Sequence, residues 1–289
     1  MPQILVHGLD VHYHDEGNGI SVVLGHSSTG SGGQWRELVK RMAGRYRMVA
    51  PDHIGYGRTA AYSGGMPVRE HEIAIVTALV QWVSQPVHLV GHSFGGAVLT
   101  QVAVRMPDLV RSLTLCEPTL FHLLAPAGRT SEHAEIKAVA DRVIRYVDQN
   151  DTAEAARGFF EYWVGAGAYD AMDDRTREAI TAGMAKLRVE WPDAFHAYGA
   201  TVEALSALRM SIQLIAGSRT TPAAKAVVEV LRSLWPGASY AEIEGAGHMA
   251  RITHADRVNE VIDTFVSSKL VGRNKQSVSE AHCAASDQR

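Results

Sequence analysis

Cysteine is nearly absent: Cys116 and Cys283 are the only two in 289 residues. One falls in an apolar run and the other in a polar tail, which is not the pattern of a disulfide-stapled secreted domain. No apolar run approaches the roughly 18 residues that a membrane-spanning helix needs. The opening MPQILVHGLDVHYHDEGNG lacks the basic and apolar regions of a secretory signal. Charge of one sign is not in excess either. The formal net charge is −3 and Lys and Arg do not gather into a basic face, so nucleic acid is not expected as a partner. Nothing reads as a metal or cofactor site, and there is no internal repeat. Together these absences predict a cytoplasmic protein with neither a nucleic-acid nor a membrane partner, acting on a small molecule. A homodimer stays open.

Apolar residues, at 46%, are enough to bury one large domain or a core with an inserted subdomain. Up to about residue 120, strand signals alternate with helix signals. Val11–Tyr13, Ser21–Leu24, Arg47–Ala50, Val87–Val90 and Val110–Cys116 read as strands; Gln34–Met42, Val68–Val83 and Gly95–Met106 read as helices. That alternation predicts a mostly parallel sheet covered on both faces. From Phe121 to Leu205 the pattern is helical throughout, with helices expected at Glu132–Asp148, Thr152–Val164, Asp173–Arg188 and Trp191–Leu205. Pro192 is placed in the first turn of the last. Strand and helix then resume at Ser211–Ala216, Pro222–Leu234, Ser239–Ile243 and Ala255–Ser267. The expected organisation is a core of 1–120 and 206–267, a helical cap of 121–205 over the sheet's C-terminal edge, and a disordered tail of 268–289.

Val87–Val90 runs directly into Gly91-His92-Ser93-Phe94-Gly95-Gly96 and then into a helix. A serine in G-x-S-x-G between strand and helix sits on a strained turn. The flanking glycines are needed because side chains there would collide. The turn lifts Ser93 Oγ above the sheet edge and sets the Phe94 N–H and the helix's positive end beside it. The bland alternative is a glycine-rich turn without chemistry. A serine hydroxyl needs a base. His248, in Gly245-Ala246-Gly247-His248-Met249, is the one histidine of 14 in a glycine-lined loop after the last strand. His12 and His14 alternate on an early strand and read as exposed rather than as a metal pair. The loop Gly25-His26-Ser27-Ser28-Thr29-Gly30 follows an early strand, and the Ser28 N–H is the expected second oxyanion donor beside that of Phe94. A phosphate-loop reading of Gly30, Gly32 and Gly33 lacks the required spacing.

These motifs, together with Pro51-Asp52-His53-Ile54-Gly55-Tyr56-Gly57-Arg58-Thr59, resemble those of the α/β-hydrolase superfamily, along residues 1–267. The resemblance implies an α/β-hydrolase fold and a serine hydrolase with a helical cap, and gives Asp52, Gly55 and Gly57 structural roles. One departure concerns the acid. Most members carry it after the strand that resumes beyond the cap, where this chain has Ala216-Gly217-Ser218-Arg219-Thr220-Thr221-Pro222, with Thr220 in place of aspartate. Another arrangement in the superfamily puts it after the preceding core strand, where Glu117 stands. Glu117 is therefore the expected partner of His248, against a loop carboxylate with no such role.

The cap segment holds half of the chain's aromatic residues, which suggests an apolar pocket roof. Phe121, Phe160, Trp163 and Trp191, with His26, are the candidate pocket residues. The expected chemistry is hydrolysis of a carboxylic ester or lactone through an acyl-enzyme on Ser93. Carbon–carbon bond hydrolysis with the same residues is the alternative, and a non-catalytic binding protein on the same scaffold is the reading of another class.

Overall fold

The computed structural model describes residues 1–61, 66–83 and 85–284, with side chains up to Lys269. An eight-stranded sheet is formed by β1 (Gln3–Val6), β2 (Leu9–Glu16), β3 (Ser21–Gly25), β4 (Arg47–Pro51), β5 (Val87–His92), β6 (Val110–Cys116), β7 (Ser211–Gly217) and β8 (Ser239–Ile243). The strand order is β1-β2-β4-β3-β5-β6-β7-β8; β1 and β2 pair antiparallel, as do β2 and β4, and every other pairing is parallel. The sequence explains the difference. Every residue of β3 and β5 is buried, as parallel strands covered on both faces require. In β2, by contrast, Leu9, Val11 and Tyr13 are buried while the residues between them are not.

Alternate residues of the central strands feed two cores. Val22, Leu24, Val90, Cys116 and Ile215 point to the face covered by α1 (Arg36–Met42) and α11 (Ala255–Ala284). Val23, Leu89, Leu113 and Leu214 point to the face covered by α2 (Val68–Trp82), α3 (Phe94–Arg105) and α9 (Pro222–Leu234). A short α10 (Ala250–Thr253) precedes α11. Because β3, β5, β6 and β7 are parallel neighbours, Gly25, His92, Cys116 and Gly217 end side by side. The loops that leave those residues share one edge of the sheet, where open α/β sheets bind ligands.

Between β6 and β7, among the described residues, the regular elements are helical: α4 (Thr130–Asp148), α5 (Thr152–Val164), α6 (Asp174–Ala182), α7 (Met184–Asp193) and α8 (Val202–Ser206). Asp151 caps α5 and Asp173 caps α6, each accepting a backbone N–H three residues on. Two helices differ from expectation. The single helix Asp173–Arg188 is broken at Gly183, where a Cβ would come within 3.0 Å of Thr29 and 3.2 Å of Tyr56. Close approach to the core loops, not helical periodicity, decides that position. The helix Trp191–Leu205 does not form. Pro192 ends α7 rather than starting a helix, and the left-handed backbone of Tyr198 and Gly199 interrupts the chain before α8. At the N-terminus, β1 was not foreseen, and β2 extends well past Val11–Tyr13 on both sides. Of the disordered tail expected over 268–289, residues 268–284 continue α11 and residues 285–289 lie outside the described residues. Among the described residues no helix is long and apolar enough to cross a membrane.

Candidate active site

Ser93 joins β5 to α3 with φ +55° and ψ −120°. A non-glycine residue held there costs on the order of 1–3 kcal/mol and persists only where its surroundings force it. Both neighbouring glycines are forced by contact: a Cβ on Gly91 would lie 2.5 Å from the Gly96 Cα, and one on Gly95 would lie 2.3 Å from the Gly25 carbonyl carbon. The end of β6 grips the Ser93 backbone from both sides, since its N–H donates to the Cys116 carbonyl (3.0 Å) and its carbonyl accepts from Thr119 N–H (3.2 Å). Glu117, between them, also has positive φ, +44°.

The strained turns bring three side chains into line. Ser93 Oγ lies 3.0 Å from His248 Nε2, and His248 Nδ1 lies 2.7 Å from Glu117 Oε2. The carboxylate can only accept, so Nδ1 carries the proton and Nε2 is left to accept from the serine hydroxyl. Glu117 takes two further donations, from Gly217 N–H at 2.7 Å on Oε1 and from the Thr220 hydroxyl at 2.6 Å on Oε2. Each hydrogen bond to the charged carboxylate contributes about 1.5–3 kcal/mol. Thr220, which stands where aspartate was looked for, thus orients the glutamate on the next strand.

His248 is fixed from two more directions. Its ring stacks on Trp163 of α5, centroids 4.0 Å apart. Its backbone carbonyl accepts from His92 Nε2 at 3.0 Å, and His92 Nδ1 in turn faces Gln34 Nε2 at 3.2 Å. This arrangement needs a neutral His92, and burial, with the nearby His248 adding to it, pushes that imidazole down to about 3. Gln34 also accepts from the Ser27 N–H and hydroxyl, so the loop after β3 and the His248 loop are joined through two side chains. Sequence reasoning singled out neither Gln34 nor His92 for a role.

On the other side of Ser93, the Phe94 N–H opens α3 and Ser28 sits in the loop after β3. Gly95 N–H donates to the His26 carbonyl at 3.0 Å, tying the two segments together. Ser28, Ser93, His248, Phe159, Phe160 and Trp163 line a small chamber of about 20 Å³, room for about one water molecule. A cleft of about 800 Å³ adjoins it and shares Ser28, Phe160 and Met249 with it; α6 and the Gly55–Gly57 turn form its outer walls. Phe160 and Trp163 therefore line the cavities, and so does Phe159, which was not expected.

His26, Phe121 and Trp191 line neither cavity. His26 is wholly buried behind the loop, with Nδ1–H donating to Ser27 O (2.7 Å) and Nε2 accepting from His53 N–H (2.9 Å). Burial, then the neighbouring His53, hold it well below the usual imidazole range and so neutral. Phe121 stacks behind Trp163, and Trp191 packs edge-on to Phe159, both in the hydrophobic core. Asp52 bridges the Gly32 and Arg58 N–H groups and shapes its turn. Among the described residues no group of three or more His, Cys, Asp or Glu side chains could hold a metal ion.

With this geometry established, comparison with known proteins places the chain. A model of the alpha/beta hydrolase family matches residues 4–261. The chain belongs to that family. It is 25% identical to 2-hydroxymuconate semialdehyde hydrolase of Pseudomonas sp. (strain CF600) over 92% of this chain and 93% of that protein. It is 35% identical to 2-hydroxy-6-oxo-2,4-heptadienoate hydrolase of Pseudomonas putida, over 39% of this chain and 42% of that protein. The match thus spans about two-fifths of the length of the first curated relatives. Among solved structures, the enol-lactonase from Burkholderia xenovorans LB400 superposes with a TM-score of 0.72 at 18% identity, covering 92% of this chain and all of that one, which shows the shared fold.

Proposed function

We propose that this alpha/beta hydrolase cleaves a small or medium apolar carbonyl substrate, a carboxylic ester or lactone, through an acyl-enzyme on Ser93. The observation that carries the reading is the unbroken line Ser93–His248–Glu117, with the serine raised on a strained turn. Ser93 Oγ attacks the carbonyl carbon as its proton passes to His248 Nε2. Glu117 fixes the Nδ1–H tautomer and stabilises the imidazolium. The Phe94 and Ser28 N–H groups take the charge that develops on the carbonyl oxygen. His248 then returns the proton to the leaving oxygen as the carbon–oxygen bond breaks, and a water activated by the same histidine releases the acid. No cofactor enters this scheme. A cytoplasmic location, a small-molecule substrate and no nucleic-acid or membrane partner are part of the reading, in keeping with the near-balanced charge and the free, buried Cys116; the homodimer stays a proposal.

The test is a fluorophosphonate followed by mass spectrometry, with Glu117→Ala in parallel. Ser93 is expected to be labelled rapidly in the wild type and slowly in the variant. An unlabelled wild-type Ser93 would overturn the reading in favour of a binding protein. Carbon–carbon bond hydrolysis with the same residues is the second reading, favoured by the near full-length likeness to a 2-hydroxymuconate semialdehyde hydrolase. There His248 would first help to ketonise an enol. A panel of esters and lactones against vinylogous diketones separates the two.

A further inference from the structure

Behind the Ser28 loop lies a buried ionic cluster that the chemistry above does not use. Glu190, on α7, accepts from the Ser28 hydroxyl on Oε1 and from the Tyr56 hydroxyl, at 3.0 Å, on Oε2. Lys186, one turn earlier, reaches Glu190 at 3.5 Å and Glu72 of α2 at 2.7 Å. Glu72 also binds His53 Nδ1 (2.8 Å) and Ile54 N–H (2.9 Å). Burial alone would raise the Glu72 carboxyl, but Lys186 and His53 outweigh it and hold it at about 2. Lys186 Nζ lies 4.1 Å over the Tyr56 ring and 4.7 Å over the Phe94 ring, and the Arg69 guanidinium lies 4.6 Å over Phe94. Glu72, Glu190 and Arg69 are each at most 1% exposed.

Burying ionised groups costs free energy that hydrophobic packing would not. A cluster that only fastened helices together would be better replaced by aliphatic side chains. This one ends on two residues in particular: the hydroxyl of Ser28 and the ring of Phe94, whose backbone N–H groups are the two oxyanion donors of the proposed reaction. We propose that Glu190 and Lys186 are positioning residues for the oxyanion site. Glu190 orients the Ser28 peptide through its side chain, and Lys186 together with Arg69 balances the two carboxylates, Glu190 and Glu72, so that no net negative charge stands beside the oxyanion. Both come from the helical insert, so the oxyanion site is complete only when α7 is seated. The inference rests on the serine-hydrolase reading.

The experiment is a double-mutant cycle on hydrolysis of an activated ester, with stability followed by thermal melting. Ser28→Ala removes the hydroxyl but keeps the N–H and touches no charge. It is expected to lower kcat about 10- to 100-fold, less than loss of an oxyanion donor outright, with KM within about twofold. Glu190→Ala should give a similar loss, and Glu190→Gln, whose amide oxygen still accepts from Ser28, should recover most of it. Ser28→Ala with Glu190→Ala should be no worse than the worse single variant. A trifluoromethyl ketone, which Ser93 converts to a tetrahedral oxyanion, should bind more weakly in both variants by the same factor, while the methyl ketone binds unchanged. An unchanged kcat in Ser28→Ala, additive losses, or undiminished trifluoromethyl-ketone binding would overturn the inference. If Glu190→Ala fails to fold, Ser28→Ala carries the test alone. Ser93→Ala in the same assay separates the two levels: wild-type turnover there sinks the serine reading, and turnover abolished there leaves any failure to the positioning role.

Discussion

On one flank of Ser93, His248 and Glu117 arrive from loops that follow β8 and β6, and their supports Thr220, Gly217, His92 and Gln34 all belong to the core. On the other flank, Ser28 and Phe94 are backed by Lys186 and Glu190, which belong to the insert. In the proposed reaction the proton-moving half of the site thus rests mainly on the sheet, whereas the charge-receiving half also borrows from the helical insert. Trp163 crosses the division, stacking from α5 onto His248.

The comparison breaks most readily at Glu117. Glu117→Gln should lower kcat for an activated ester by about 10³–10⁴-fold, because the base loses its tautomer and its counter-charge. Thr220→Asp added to Glu117→Ala should recover at least about tenfold of the lost activity, since the Thr220 hydroxyl lies 2.6 Å from the atom that His248 uses. Failure to recover would show that the β7 loop cannot present an acid. Thr220→Val alone removes one donor to the carboxylate and should cost about three- to tenfold in kcat, less than the full worth of one such bond because Gly217 N–H still holds the carboxylate. Phe160→Ala, at the partition between chamber and cleft, should instead change KM for bulky esters several-fold with little change for the smallest ones. Equal effects on all esters would mean that the cleft does not take substrate.

The smallest expected effect touches both flanks at once. His92 and His26 are held neutral in the folded state, below the ordinary 6.5 of imidazole. As pH falls through 6.5 the unfolded chain takes up protons that the folded chain refuses. The stability contribution is therefore intact above pH 6.5 and drains away as pH drops towards about 3, where His92 itself titrates. By pH 5 this amounts to about 2 kcal/mol for His92, and His26 acts in the same direction. Thermal melts between pH 7.5 and 5 should show that slope, flattened in His92→Gln. An identical slope in the variant would assign the loss elsewhere.

The sheet and the motif-bearing loops were legible because period-two burial and glycine-bounded turns are local signals. Ser93 and His248 sit where strand–turn–helix and strand–loop patterns put them, and Glu117 came from the family resemblance, which offers a second place for the acid when none stands near Thr220. The insert was less legible. Its helices α6 and α7 are divided at Gly183 by contact with Thr29 and Tyr56, residues about 130–150 positions earlier, and no local pattern reports a contact of that range. For the same reason Phe121 and Trp191 looked like pocket residues. An aromatic residue in a cap segment carries no mark that tells lining from packing. Glu190 and Lys186 were not singled out: two charged residues four apart on a helix carry no mark that separates a buried pair from a surface one, and these two are almost completely buried.

Placing the acid on β6 has a consequence for modular change. The proposed nucleophile Ser93 and acid Glu117 are carried by one strand–helix–strand unit, β5–α3–β6, that ends before the insert begins. A lineage, or an engineer, can therefore exchange everything between Leu120 and Ser206 for another roof without carrying off the charge relay's anchor. Such a graft would keep the means to activate the serine and would have to supply anew what α7 lends to Ser28. Inherited reactivity with an unfinished oxyanion cradle is the expected starting point for each new specificity, and the replacement helix that first restores a buried acceptor opposite Ser28 is the one that selection would retain.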